Sequence, residues 1–300
     1  MILHKNRHEI FSEQLTSQQS PSGAFKSTIC LDDQHYPDDN GFITAQVIRT
    51  LGAFPADKRS SERVQTAIHA GLTFLQQCES TVRPGAFGFW PSGQPHPKIA
   101  PLPEDADDTA LIALELAKWG YLTRKALIEV ACKVLLRYRL RGLSAPSPPW
   151  IRSGTFLTWL SSAGRANVID CCVNANVVAL LAYAGLQHLP GYQEACEMID
   201  AGIRWAGNDF KRARTLTPFY PYPVELIYAI QYAVSHGAKQ LLPSLARLRS
   251  LTWASTQQPQ VLTLNRPICS SAYGSTLWQS EVLQISRQQL SRYQQHQQYQ

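Results

Sequence analysis

The residues best able to do chemistry stand together at Asp105-Ala106-Asp107-Asp108. Three carboxyls within four residues at the start of an apolar stretch cannot all ionise cheaply. Like charges raise at least one pKa, by amounts that reach several units in close pairs. No Lys or Arg lies within five residues on either side, so no local ion pair relieves the crowding. A carboxyl held neutral in this way is an acid ready to give up a proton. Helix capping is the competing explanation, because aspartate in a first turn interacts well with the helix dipole. Asp38, Asp39 and Asp170 recur at matching places, so part of the pattern is capping. Capping accounts for one or two acids, whereas here there are three. Asn174 and Asn176 interrupt another apolar stretch, and buried amides need partners. Either they bond to the Asp cluster or they tie neighbouring helices. Glu115 and Glu225 pose the same question.

These residues are positioned by a repeat. Four mostly apolar runs end in glycine: Asp38–Gly52, Asp105–Gly120, Asp170–Gly185 and Tyr222–Gly237. Each terminal glycine stands where a helix takes a left-handed residue after its last turn. Runs apolar on nearly every side predict helices buried all round. Between them, Arg63–Cys78, Arg124–Tyr138, Glu194–Ala206 and Pro243–Ala254 carry one apolar stripe and one polar face, the pattern of surface helices. A glycine-aromatic signature precedes the first three buried runs: Ser22-Gly23-Ala24-Phe25, Pro84-Gly85-Ala86-Phe87 and Ser153-Gly154-Thr155-Phe156. Asn208-Asp209-Phe210 is a degenerate fourth, and Gly274–Ile285 is expected to be a fifth buried helix. The unit returns roughly every 50 to 70 residues, and units that cannot bury their own faces must stack. Runs this apolar favour closure into a ring with wet helices outside. No alternating runs bounded by hairpin turns call for strands. The expected fold class is all-α, an α/α toroid of about five helix pairs. Residues 1–20 read as an N-terminal extension, 21–287 as the single toroid domain and 288–300 as a Gln-rich tail.

The inner-helix start Asp105-Ala106-Asp107-Asp108-Thr109-Ala110 resembles the Asp-x-Asp-Asp-Thr-Ala hallmark of the class II terpene cyclases, the squalene–hopene type and its relatives. The run Gly85-Ala86-Phe87-Gly88-Phe89-Trp90 is similar to their glutamine–tryptophan loops, without the upstream glutamine spacing. The toroid resemblance covers most of the chain, the catalytic one a single motif. It implies protonation of an alkene or epoxide of a linear isoprenoid, followed by cyclisation through carbocations. Asp107 is then the proton donor, with Asp105 and Asp108 setting its protonation state and orientation. Aromatic faces steady carbocations, so Phe87, Phe89, Trp90, Trp159, Phe219, Tyr220 and Tyr222 become candidate substrate contacts, together with Asn174 and Asn176. Members of this family pair two barrels, and this chain is long enough for one, so a homodimer is one way to exclude water.

Asp170-Cys171-Cys172 resembles two zinc ligands of the prenyltransferase toroids. The third, a histidine opening a later helix, is replaced by Tyr222-Pro223-Val224 and Tyr273-Gly274-Ser275, and two ligands do not make a zinc site. No metal is expected, and no cofactor, with Mg2+ entering only if the substrate carries a diphosphate. The net charge of +6 is dispersed except for Lys211-Arg212-Ala213-Arg214, which suits a solvated loop or an anion better than a nucleic acid. Seven scattered cysteines without a secretory leader predict reduced thiols and the cytoplasm. No apolar run is long enough to span a bilayer, although peripheral membrane contact fits an isoprenoid substrate. A non-catalytic binding or scaffold toroid is the alternative function.

Overall fold

The computed structural model describes residues 15–59, 61–143, 147–161, 167–255, 264–272 and 274–298. It is mainly helical. The buried helices are α1 (Gly41–Gly52), α3 (Ala106–Lys118), α5 (Cys171–Ala184) and α8 (Val224–Ser235). Alternating with them are α2 (Glu62–Gln77), α4 (Arg124–Glu129), α6 (Tyr192–Ala206), the short α7 (Phe210–Thr215) and α9 (Leu242–Ser250). The chain closes with α10 (Glu281–Gln298). Neighbouring buried helices touch in sequence order, α1 on α3, α3 on α5 and α5 on α8, and α10 returns to pack on α1. Glu225 of α8 binds both Nη atoms of Arg287 of α10 at 2.8 and 2.9 Å.

Three buried helices start by one rule. Asn40, Asp105 and Asp170 fall at equal spacing, and each caps its helix by accepting backbone N–H groups on Oδ1. Such caps are worth about 1 kcal/mol each. Four residues on, Thr44, Thr109 and Asn174 each accept the backbone N–H of a loop aromatic: Phe25, Phe87 and Phe156, at 3.1, 2.9 and 2.9 Å. The glycine-aromatic loop is therefore stapled to the helix that follows it. Gly23, Gly85 and Gly154 all have positive φ, which lets the loop turn back.

Three expectations fail. The fold is not all-α. Strands β1 (Ser27–Leu31), β2 (Gln34–Asp38), β3 (Pro267–Ser270) and β4 (Leu277–Gln279) form an antiparallel sheet in the order β2-β1-β4-β3. Asp32 and Asp33 turn the first hairpin at φ 48 and 60, the left-handed pair such a turn requires. Pairing β1 with β4 joins the two ends of the domain, with Ile29 opposite Trp278. The expected fifth helix Gly274–Ile285 is therefore β4 followed by the start of α10. Gly52, unlike Gly120, Gly185 and Gly237, ends its helix without a left-handed φ. The boundary expected at residue 287 falls inside α10. Most of the N-terminal extension, residues 1–14, lies outside the described residues, as does Tyr273.

A β-carbon at Gly23, where φ is +93°, would lie 2.5 Å from the Ala70 carbonyl oxygen. Gly23→Ala should therefore destabilise the fold by more than about 1 kcal/mol, read as a lower thermal midpoint. An unchanged midpoint would mean the loop is not held against α2.

Candidate active site

The start of α3 divides the three aspartates by task. Asp105 is the cap, its Oδ1 accepting the Asp108 N–H at 2.7 Å. Asp107 bonds side chains instead: its Oδ1 accepts from Asn176 Nδ2 at 2.6 Å, and its Oδ2 accepts from the Tyr220 hydroxyl. Asp108 is 1% exposed and finds no donor among the described residues, and a proton it retains is shared with the Asp105 carboxyl. Asp170 of the next repeat caps α5 and also accepts the Phe219 N–H at 3.1 Å. Capping thus accounts for Asp105 and Asp170 and leaves Asp107 free of the helix backbone.

Burial governs the protonation of this group. Desolvation raises the Asp107 pKa, against hydrogen bonds from Tyr220 and Asn176 and the charge of Arg49, which lower it. Desolvation, with the charge of Asp107 beside it, pushes Asp105 up to about 7. The same two causes push Asp170 up to about 8. Asp108, dry and facing both Asp105 and Asp107, is held well above the carboxylate range. Four acids in one dry region cannot carry four charges. Near neutral pH the group retains protons.

Arg49 of α1 is the site residue that the sequence reading missed. Its Nη1 donates to Asn176 Oδ1 at 3.0 Å, its guanidinium lies 3.7 Å over the Tyr232 ring, and its Nε is 3.9 Å from Glu115 Oε1. Glu115 also takes Lys118 Nζ at 3.2 Å and the Tyr232 hydroxyl. A polar chain therefore runs from Asp107 through Asn176 and Arg49 to Glu115 and Lys118. A lone arginine inside an apolar run was the available signal. Glu225 instead binds Arg266 and Arg287.

The candidate aromatics divide. Tyr220 touches Asp107, and its ring lies 5.9 Å from that of Phe42, which stacks on Phe89 at 6.1 Å. Phe89 packs edge-on against Trp90 and Trp278, and Trp90 Nε1 donates to Asp38. Trp159 and Phe219 form a separate edge-on pair at 5.5 Å, beside the Asp105 and Asp170 caps. Phe87 is buried in a loop staple. Asn174 engages its amide with the backbone of Phe156 and Asp170. Tyr222 carries the Arg266 guanidinium on its ring, away from Asp107.

A cavity of about 670 Å3 opens among α1, α8 and α10. Its inner wall includes Gln46, Arg49, Val224 and Tyr232, and Asp107 is not part of the lining. Asp107 is 7% exposed and is linked to the cavity wall through Asn176, which bonds Arg49. No group of three or more metal-ligating side chains occurs among the described residues, and Asp170 acts as a cap. All seven cysteines are free. The Lys211–Arg214 run lies on α7, where Arg212 pairs with Asp209 and lies over Trp205. No helix among the described residues is long and apolar enough to cross a membrane.

No family model matches the chain, and no curated protein does. Among solved structures it is similar to those of the type II terpene cyclase MstE from Scytonema. With an aspartate-to-alanine variant bound to the product merosterolic acid A, the TM-score is 0.46 and the identity 13%, covering 90% of this chain and 68% of that one. With the apo enzyme the TM-score is 0.43 and the identity 12%, covering 96% and 98%. With an arginine-to-alanine variant bound to the substrate geranylgeranyl dihydroxybenzoate the TM-score is 0.41 and the identity 12%, covering 95% of each. The chain is thus similar to type II terpene cyclases over nearly its whole length, at low identity. Nothing in the chemistry of the site depends on that similarity.

Asp105 and Asp170 hold more protons folded than unfolded. Their contribution to stability is therefore complete below about pH 4 and is lost as pH rises through about 7 to 8. The thermal midpoint should fall between about pH 5 and 8, and Asp105→Asn, which keeps a capping oxygen, should flatten the slope. A midpoint that climbs over this interval would contradict the assignment.

Proposed function

We propose that this chain is a class II-type terpene cyclase in which Asp107 protonates an alkene or epoxide of a linear isoprenoid and starts cyclisation. The observation that carries the reading is Asp107 itself. It is a buried carboxyl with a raised pKa, bonded to Asn176 and Tyr220 rather than to its helix. Burial opposes its ionisation, and its charge, once formed, holds the protons on Asp105 and Asp108 in the same turn. Asn176 and Tyr220 fix the carboxyl plane and stabilise the carboxylate left after proton transfer. The proton moves to the alkene carbon that gives the more substituted cation. Phe42, Phe89 and Tyr220 offer aromatic faces near the acid, and a cation within about 6 Å of such a face is attracted to it. The reading includes an α/α toroid, its inner wall made by the contacting helices α1, α3, α5, α8 and α10. It needs no metal for the proton transfer, and Mg2+ enters only with a diphosphate substrate. Arg49 lines the cavity and reaches Asp107 through Asn176, so substrate in this reading approaches the acid past that pair.

The absence of Asp107 from the cavity lining favours a second reading, a toroid that binds a ligand without transforming it. Turnover distinguishes them. Incubated with linear isoprenoids from farnesyl to squalene size, the protein should yield a cyclic product without ionising any diphosphate. Asp107→Asn should lower the rate by at least about 100-fold, since a positioned general acid contributes about 100- to 10,000-fold. Full turnover by that variant would remove Asp107 from the mechanism. Tight binding of these compounds with no product would support the second reading.

A further inference from the structure

We propose that the cavity among α1, α8 and α10 binds the acidic head, carboxylate or phosphate, of an amphiphilic ligand. Arg49, Lys118, Arg249 and Arg287 line it, and no Asp or Glu does so among the described residues. The nearby carboxylates sit behind the wall and are already shared. Glu225 holds Arg287 and Arg266, and Glu115 holds Lys118. Arg49 reaches Glu115 only at 3.9 Å, too far for a hydrogen bond, and Arg249 is exposed. The cavity is therefore left with unneutralised positive charge.

Arg49 adds a second, independent observation. It is 6% exposed, yet among the described residues its Nε and Nη2 have no hydrogen-bond partner, and neither has the hydroxyl of Tyr228, another lining residue. Native proteins leave few buried donors unpaired, because each forfeits the hydrogen bonds it made in water. Adjacent guanidinium nitrogens match two oxygens of one carboxylate or phosphate. An acidic head that displaces the Tyr232 ring from Arg49 would satisfy these donors. Val224, Ile227 and Leu290 on the same walls suit a hydrocarbon, and the volume is that of a small-molecule site.

That the hydrocarbon is isoprenoid rests on the cyclase reading, whereas recognition of the head does not. The test is calorimetric titration of the full chain with farnesyl diphosphate, farnesoic acid and farnesol. At least one acidic ligand should bind about tenfold or more tightly than farnesol, as one charge-assisted hydrogen bond implies. A preference for the diphosphate or for the acid identifies the head. Lys118→Gln and Arg249→Gln should each weaken that ligand several-fold and leave farnesol unchanged. Arg249 is exposed, so its variant is expected to fold, and a native circular dichroism spectrum checks both. Equal binding of all three ligands, or affinity indifferent to both substitutions in folded protein, would overturn the proposal. Asp107→Asn should retain the charge-dependent binding, so loss of turnover and loss of head recognition are read separately.

Discussion

The site depends on keeping water away from a carboxyl group. An aspartate in solution ionises near pH 4 and gives nothing to a hydrocarbon. At the start of α3 the same group lies among buried helices, with two more carboxyls in its own turn and Asp170 one repeat away. Each charge added there makes the next more expensive, since no cation bonds directly to Asp107. Arg49 acts through Asn176, which tempers the acid without neutralising it. Packing that excludes water and the proton donation proposed for Asp107 are thus one constraint. The β1–β4 pairing belongs to it as well, because it brings α10 back to α1.

The repeat shows how such a site arises from a structural plan. Equivalent positions in the first three units make the same cap and the same loop staple. Two residues after the cap, the plan holds Phe42, Asp107 and Cys172; six residues after it, Gln46, Leu111 and Asn176. Positions that carry the architecture agree in chemistry, and those around the acid diverge. Asp107 and Asn176 are departures from the repeat, and they bond to each other. Asn174, two residues from Asn176, follows the plan.

Much of this was legible in the sequence. All-round apolar runs ending in glycine located the buried helices, and glycine-aromatic pairs located the loops, because both depend on local backbone chemistry. The excess of acids over what a cap needs marked the cluster, and the family resemblance singled out Asp107 within it. The sheet was hidden because its strands are three to five residues long and pair across almost the whole chain. Arg49 was hidden because its meaning lies in partners on other helices. The loop staples of Phe87 and Asn174 were hidden because an aromatic or an amide at a helix start looks the same whether it faces a ligand or a loop.

The protonation state of Asp107 can be read by infrared difference spectroscopy of wild type against Asp107→Asn at pH 6. A neutral Asp107 gives the carbonyl band of an un-ionised carboxylic acid, shifted as expected for a dry environment, that vanishes in the variant. A difference spectrum showing only the loss of a carboxylate band would mean that Asp107 is already ionised, and proton donation from it would be excluded.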